Sequence, residues 1–357
     1  MDGVRSIMVM RDMKAQRPTY VLTRGGYNDR GEEVTAGTPT ALPPMPADLP
    51  KNRLGLARWL TADNNPLTAR VTVNRYWQMI FGMGLVRTPE DFGSQGAPPS
   101  HPELLDWLAR DFMDNNWDVH RLLKQMVLSS TYRQSTVVTP AAREIDPTNQ
   151  WLARTTAARL PAEMIRDNAL AVSGLLVRKV GGAPVKPYDL ALSFSPIKPA
   201  SGDGLYRRSV YTFWKRTAPA PMMMTLDATK RDVCRLNRDV TASPLQPLVL
   251  LNAPQFVEAA RVLAAQLIQH HGENSPALLE DAFRRLTSRY PTAPEKDILS
   301  DMFDQQIVEF RDHPDMAKAY LAVGDTKTDA TLPDVQLAAA TVVVNALMNF
   351  EECVTRR

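Results

Sequence analysis

Only two cysteines, Cys234 and Cys353, occur among the 357 residues. They form neither a Cys-x-x-Cys pair nor a Cys-x-x-Cys-His run, which excludes a zinc ribbon and covalent haem attachment within the chain. Whether the two pair with each other is not set by their spacing. A surplus of one charge is missing as well. The 42 Lys and Arg against 39 Asp and Glu leave a formal net charge of +3, without the basic footprint a nucleic-acid binder needs, so nucleic acid is not an expected partner. No apolar run reaches the roughly 18–20 residues of a membrane span; the nearest, 337–348, is too short and reads amphipathic. The opening MDGVRSIMVMRDM lacks the charged, apolar and cleavage regions of a signal peptide, which taken literally implies a cytoplasmic protein. Gly-x-Ser-x-Gly, the P-loop and the Rossmann fingerprint are absent too, and standard serine hydrolase or nucleotide chemistry has no support.

What is present is the composition of a globular protein, 44% hydrophobic and 23% charged, long enough for two or three domains or one large α-rich body. The patterning predicts a mainly α, multi-helix body with a minor β element. Strand candidates lie near 18–25, where Thr19 to Thr23 supply β-formers before a Gly-Gly turn, and near 205–214, LYRRSVYTFW, with both faces covered. Four segments are expected: an irregular 1–50 ending in a Pro-rich connector, a helical subdomain 51–176, a mixed segment 177–242, and a C-terminal helical subdomain 243–357. Leu54, Leu56, Ala57 and Leu60 share a helix face, and Asp63-Asn64-Asn65-Pro66 separates that helix from one over 67–81, stopped at Gly82. Ser100–Glu103, Ser243–Gln246 and Asn252–Gln255 each match a capping box. Apolar spacing predicts further helices over 119–129, 160–173, 255–269, 276–290, 294–312 and 334–355.

Several stretches then stand out together: VMRDMKAQRPTYVLTRGGYNDRGEEV, NRLGLARWL, NPLTARVTVNRYWQMIFGMGLVRTPEDFGSQG, PSHPELLDWLA, LSSTYRQS, LPAEMIRDNALAVSGLL, LYRRSVYTFWKRTAP and SPLQPLVLLNAPQFVEAA. In content and order they resemble the planctomycete-type domain of unknown function, of the PSD type, that ends large secreted proteins beginning with a cytochrome c module. The resemblance implies the C-terminal domain of an exported, cytochrome c-associated protein, periplasmic or at the cell surface when the full-length protein carries a signal peptide. No cofactor is then expected in this chain, a c-type haem belonging to an N-terminal domain outside it. The implied partners are those N-terminal haem and helical domains, sulfatase-like proteins and polysaccharide.

Three constellations carry candidate chemistry. On the helix over 67–81, Arg70, Asn74 and Gln78 share a face, with Arg75, Trp77 and Arg87 close by and Glu90 and Asp91 following. Such a row could grip a sugar or carboxylate, an arginine acting as bidentate clamp and Trp77 or Tyr76 as stacking platform. The plain alternative is a buried polar network locking the 82–93 loop. Next, Glu163, Arg166 and Asp167 lie within one helical turn, where two carboxylates could serve as acid and base if burial raised one pKa; the alternative is an intrahelical salt-bridge set. Finally, Arg208, Trp214 and Arg216 are placed on one face by strand alternation, suited to an anionic glycan, with Met222, Met223, Met224 and Asp227 following. The methionines read as packing filler more than as a haem edge.

His101, the histidine within the family-like motif, is a candidate base in the first turn of a helix, whereas His270 and His271 read as a helix C-terminus and no metal site is expected. The first function hypothesis is a binding or accessory module in polysaccharide use. The second is a carbohydrate-active enzyme with Asp91, Glu163, Asp167 or Asp227 converging across a groove, redox-coupled to the absent haem domain. The third is a structural surface-protein unit. At least two of the Asn74 row, the Glu163 helix and the Arg208 segment are expected to meet at one concave site.

Overall fold

The computed structural model describes residues 8–15, 17–188 and 198–356. Among them the fold is mainly α, with two antiparallel sheets of two strands each as its minor β component. Two units emerge, Met1–Gln134 with Val138–Thr155, and Ser135–Val137 with Thr156–Arg357. The helical subdomain expected over 51–176 is therefore cut near residue 155. The cause is packing: Ala162, Ile165 and Ala169 bury their side chains in the second unit's core.

In the first unit, strands β1 (Thr19–Leu22) and β2 (Arg30–Val34) form a hairpin pairing Thr19 with Val34 and Leu22 with Arg30. The second strand was not expected, because Arg-Gly-Glu-Glu is poor in β-formers; the Arg30 guanidinium lies over the Tyr20 ring at 5.3 Å. Helix α1 (Arg53–Leu60) is capped by the Asn52 carboxamide, which accepts from the Leu54 and Gly55 amides. It binds the Pro-rich connector closely: Trp59 Nε1 donates to Pro43 O at 2.8 Å, and a Cβ on Gly55 would stand 1.9 Å from Pro50 O. Helix α2 (Thr68–Phe81) starts where the Asn65 side chain takes the Leu67 and Thr68 amides, and it stops at Gly82, whose φ of 86° suits a residue without Cβ. With α3 (Pro102–Asp114), α4 (Val119–Leu128) and the short α5 (Pro140–Ile145), α2 completes the unit. Val73, Trp77, Phe81, Leu105, Leu108, Phe112, Leu122 and Met126 build its core, each fully buried apolar side chain contributing ~1.5–3 kcal/mol.

The second unit begins with β3 (Ala158–Arg159), which pairs with the chain's last described residues, β4 (Thr355–Arg356). Between them run α6 (Ala162–Val172), α7 (Asp203–Tyr206), α8 (Pro221–Thr225), α9 (Leu245–Asn252), α10 (Pro254–His271), α11 (Ser275–Thr287), α12 (Ala293–Asp312), α13 (Pro314–Leu321), α14 (Asp334–Met348) and α15 (Glu351–Val354). Helices α10 and α14 are its axis. Ala259, Ala260 and Ala264 on one and Ala338, Ala339 and Ala340 on the other are all buried, and such small side chains permit a short interaxial distance. No single helix among the described residues is long and apolar enough to cross a membrane, and α14, apolar nearly all round, is core.

Three expectations are corrected here. The strand over 205–214 does not form: α7 and a 3-10 turn at Ser209–Tyr211 occupy most of it, with single bridges from Arg207 to Val177 and from Thr212 to Val185. The Leu205 and Arg207 carbonyls, which a ladder would have needed, are taken by a buried arginine described below. The helix over 334–355 breaks after Met348. Nor does Ser100 cap α3, whose N-cap is His101; the Ser100 hydroxyl instead meets His101 Nδ1 at 3.0 Å. A capping box that was not predicted opens α12, where Glu295 and Thr292 bond reciprocally. Arg289 hydrogen bonds strengthen it and hold the Glu295 carboxyl down at about 2.

Candidate functional site

The first constellation divides once the side chains are placed. Asn74 is fully buried: its carboxamide accepts from Val86 N–H at 2.8 Å and donates to Val86 O at 3.0 Å, as a strand neighbour would. Gly84 makes room for it, since a Cβ there would come within 2.8 Å of the amide nitrogen. Trp77 is also inside, stacked on Phe81 at 4.1 Å. Arg70 donates to Asp106 at 2.6 Å and to Pro66 O, in a cleft of about 260 Å³ that also holds Asp63 and Arg110. Arg75 is exposed, Gln78 half-buried, and Arg87 reaches Thr148 and Gln150 at 3.1 and 3.3 Å. Asp91 accepts from Gly93 N–H at 2.7 Å and, with Thr88, closes a turn in which a Cβ on Gly96 would lie 2.0 Å from Asp91 O. The row is thus mostly internal scaffolding for the 82–97 loop. Replacing Asn74 by Ala leaves two buried backbone groups of Val86 unsatisfied, and we expect a loss of about 2–3 kcal/mol in urea unfolding. An effect under about 0.5 kcal/mol would refute the locking role.

The other two constellations meet in the second unit, around α6. Arg166 is 1% exposed and spends its whole guanidinium inward: Nε on Gln255 Oε1 at 2.6 Å, Nη1 on Arg207 O at 2.9 Å and Ser209 Oγ at 3.1 Å, Nη2 on Leu205 O at 2.6 Å. Burial pulls it down to about 10 against the opposing charge of Asp167, and it stays protonated at neutral pH. Asp167 accepts from the Ser209 amide at 2.8 Å and hydroxyl at 2.6 Å and lies 3.7 Å from Arg208. One turn back, Glu163 receives Arg238 Nη1 at 2.7 Å, with Arg231 at 4.0 Å. Asp227, at a left-handed φ of 63°, is held by Arg159 at 2.5 Å, the Thr241 amide at 2.8 Å and Gln246.

These surroundings decide the protonation state. Burial pushes both Glu163 and Asp227 upward, but hydrogen bonds and charge from Arg238 and Arg231 on the first, and from Thr241 and Arg159 on the second, outweigh it. Both end below the usual carboxylate range. A general acid at neutral pH needs the opposite shift. Among the described residues no three His, Cys, Asp or Glu converge as metal ligands.

The cations on this side point outward. Arg208 is 62% exposed, Arg216 is exposed, and every residue from 230 to 242 is exposed, including Lys230, Arg231, Cys234, Arg235 and Arg238. Trp214 is half-buried: its Nε1 donates to Lys230 O at 2.7 Å and the Arg231 guanidinium covers its ring at 4.6 Å. Met223 is core, and Met222 and Met224 are half-buried, in line with filler. Arg231, Arg235 and Arg238 were not singled out from the sequence, yet a signal existed: residues 207–240 hold eight Lys or Arg against three Asp, a local +5 in a chain of +3. So the Glu163 helix and the Arg208 segment come together on an exposed basic surface, while Asn74 lies in the interior of the other unit.

A family model described as PSD1, protein of unknown function (DUF1553), matches residues 52–303. No curated protein and no solved structure matches the chain.

Proposed function

The chain belongs to the PSD1 (DUF1553) family of proteins of unknown function, and within it we propose an accessory module that binds anionic polysaccharide, acting at the cell surface or in the periplasm beside a cytochrome c-type domain. The observation that carries this reading is the contrast around α6. Glu163, Asp167 and Asp227 are each engaged by arginine and largely covered, whereas the side chains of Arg208 and Arg238, which make two of those pairs, stay about half or more exposed, and Arg216 and Arg235 are exposed as well. Guanidinium forks match sulfate and carboxylate oxygens bidentately, and the Trp214 indole, packed against the core, carries the Arg231 guanidinium on its ring. Glu163 and Asp227, paired with arginine and held below the usual carboxylate range, speak against a glycosidase-like acid and base pair and support a binding role. Sulfatase-like proteins are the proposed neighbours in the same polysaccharide use.

The test is affinity electrophoresis of the chain through gels holding dextran sulfate, polygalacturonate or neutral dextran. Retardation by the charged polymers alone is expected, fading as salt rises, because exposed charges are screened within about 8 Å at physiological ionic strength. The Arg235→Ala/Arg238→Ala pair should weaken it about tenfold, the equivalent of ~1.4 kcal/mol. Equal retardation by neutral dextran, or release of reducing ends from any of the three, would overturn the reading.

A further inference from the structure

The loop 230–242 is fastened in an unusual way. None of its residues is buried, and its apolar members Val233, Leu236 and Val240 face solvent. Polar contacts tie it to the body, prominent among them Glu163 with Arg238 and Arg231, and Trp214 with Lys230 and Arg231. Glu163 is mostly covered, its side chain 19% exposed, while Arg231 and Arg238 keep 38% and 46% of theirs in solvent. One protein carboxylate therefore sits beneath two guanidinium groups whose outer edges are open, which is the position an acidic group of a ligand would take from the other side.

We propose that Glu163 is a built-in stand-in for the ligand's anion: it holds Arg231 and Arg238 in the unliganded chain, and binding proceeds by exchanging its carboxylate for a sulfate or carboxylate of the polysaccharide. This rests on the reading of the basic surface as an anion-binding site and adds the group that competes there. The exchange breaks no covalent bond and moves no proton. Its cost is the Glu163 contact, so affinity in the native protein is set below what the guanidinium groups alone would give.

Dextran sulfate and polygalacturonate are the probes, titrated against wild type, Glu163→Gln, Asp239→Asn, Arg238→Ala and the Glu163→Gln/Arg238→Ala double variant. Asp239 is an exposed acid of the same loop, and its neutralisation reports the effect of net charge alone. Glu163→Gln is expected to bind about threefold tighter than wild type, the scale of one partly exposed ion pair, and Asp239→Asn less than twofold tighter. The gain should largely vanish in the Arg238→Ala background, since the two residues act as one contact. Labelling of Cys234, the exposed cysteine, by a maleimide should also quicken in Glu163→Gln without ligand, as the loop loses a tether. Weaker binding by Glu163→Gln, a gain no larger than that of Asp239→Asn, or an unchanged gain without Arg238 would each overturn the exchange while leaving the surface intact. Failure of wild type to bind either polymer would remove the surface and the exchange together.

Discussion

Arg166→Met is expected to lower unfolding stability by about 3–5 kcal/mol, the cost typical of removing one member of a buried charged network. The methionine fills much of the volume but leaves the Leu205 and Arg207 carbonyls, Gln255 Oε1 and Ser209 Oγ without their donor. It also strips Asp167 of a positive neighbour at 3.6 Å. Arg166→Lys should recover only a small part, because a single ammonium cannot serve acceptors spread around a planar fork. Urea unfolding followed by circular dichroism measures both. A loss below about 1 kcal/mol for the methionine variant would mean that residues 205–209 hold their place on α6 without the guanidinium. The result bears on function because Arg208 and its neighbours are aimed by that attachment.

The second large effect concerns α10. Glu258, 2% exposed, accepts at one oxygen from Tyr206 Oη at 2.7 Å and from the Asp325 and Thr326 amides at 2.8 and 2.6 Å. Arg261, one turn later and also buried, donates to Thr326 O at 2.6 Å and Thr328 Oγ1 at 3.1 Å. Gly324 passes so close, with a φ of 100°, that a Cβ there would meet the Glu258 carboxyl carbon at 2.4 Å. Burial, with Glu258 adding to it and the Thr326 bond opposing, pushes the Tyr206 phenol up to about 12. Glu258→Ala should cost about 3 kcal/mol, from three unsatisfied donors and an Arg261 left without its counter-charge. Hydrogen exchange at the Asp325 and Thr326 amides should accelerate at least tenfold. Unchanged exchange there would show that the 323–328 loop is anchored by other contacts.

Much of the helical framework was legible in the sequence because it rests on local signals. Apolar spacing placed α2, α4, α6, α10 and α12 within a few residues, and Gly82 marked the end of α2 by its backbone freedom. The failures share a physical cause, which is competition from distant partners. Ser243–Gln246 and Asn252–Gln255 have capping-box spacing, yet Gln246 is drawn to Asp227 and Arg159 and Gln255 to Arg166, contacts that no local window contains. The segment 205–214 has strand composition but yields its carbonyls to Arg166. Short helices α5, α8 and α13 start at prolines and are too brief to show a period. At the candidate site, the sequence nominated Glu163, Arg166, Asp167 and Arg208, which do lie together. It was silent on Arg231 and Arg238, since a loop without periodicity gives no clue to the helix it covers. Whether Asn74 pointed in or out could not be read from its spacing either, because both faces of α2 carry polar residues.

The pairing of β3 with β4 has a practical consequence. Ala158 and Arg159 lie against Arg356 and Thr355, and the Leu160 amide donates to Val354 O at 2.8 Å. The polypeptide thus arrives in the second unit and returns at neighbouring points, the geometry that tolerates cutting and rejoining in a new order. A variant with 355 linked to 158 and new termini opened in the exposed 230–242 stretch would keep the α10–α14 axis whole. The same region could be spliced into a surface turn of an unrelated scaffold as a removable cartridge.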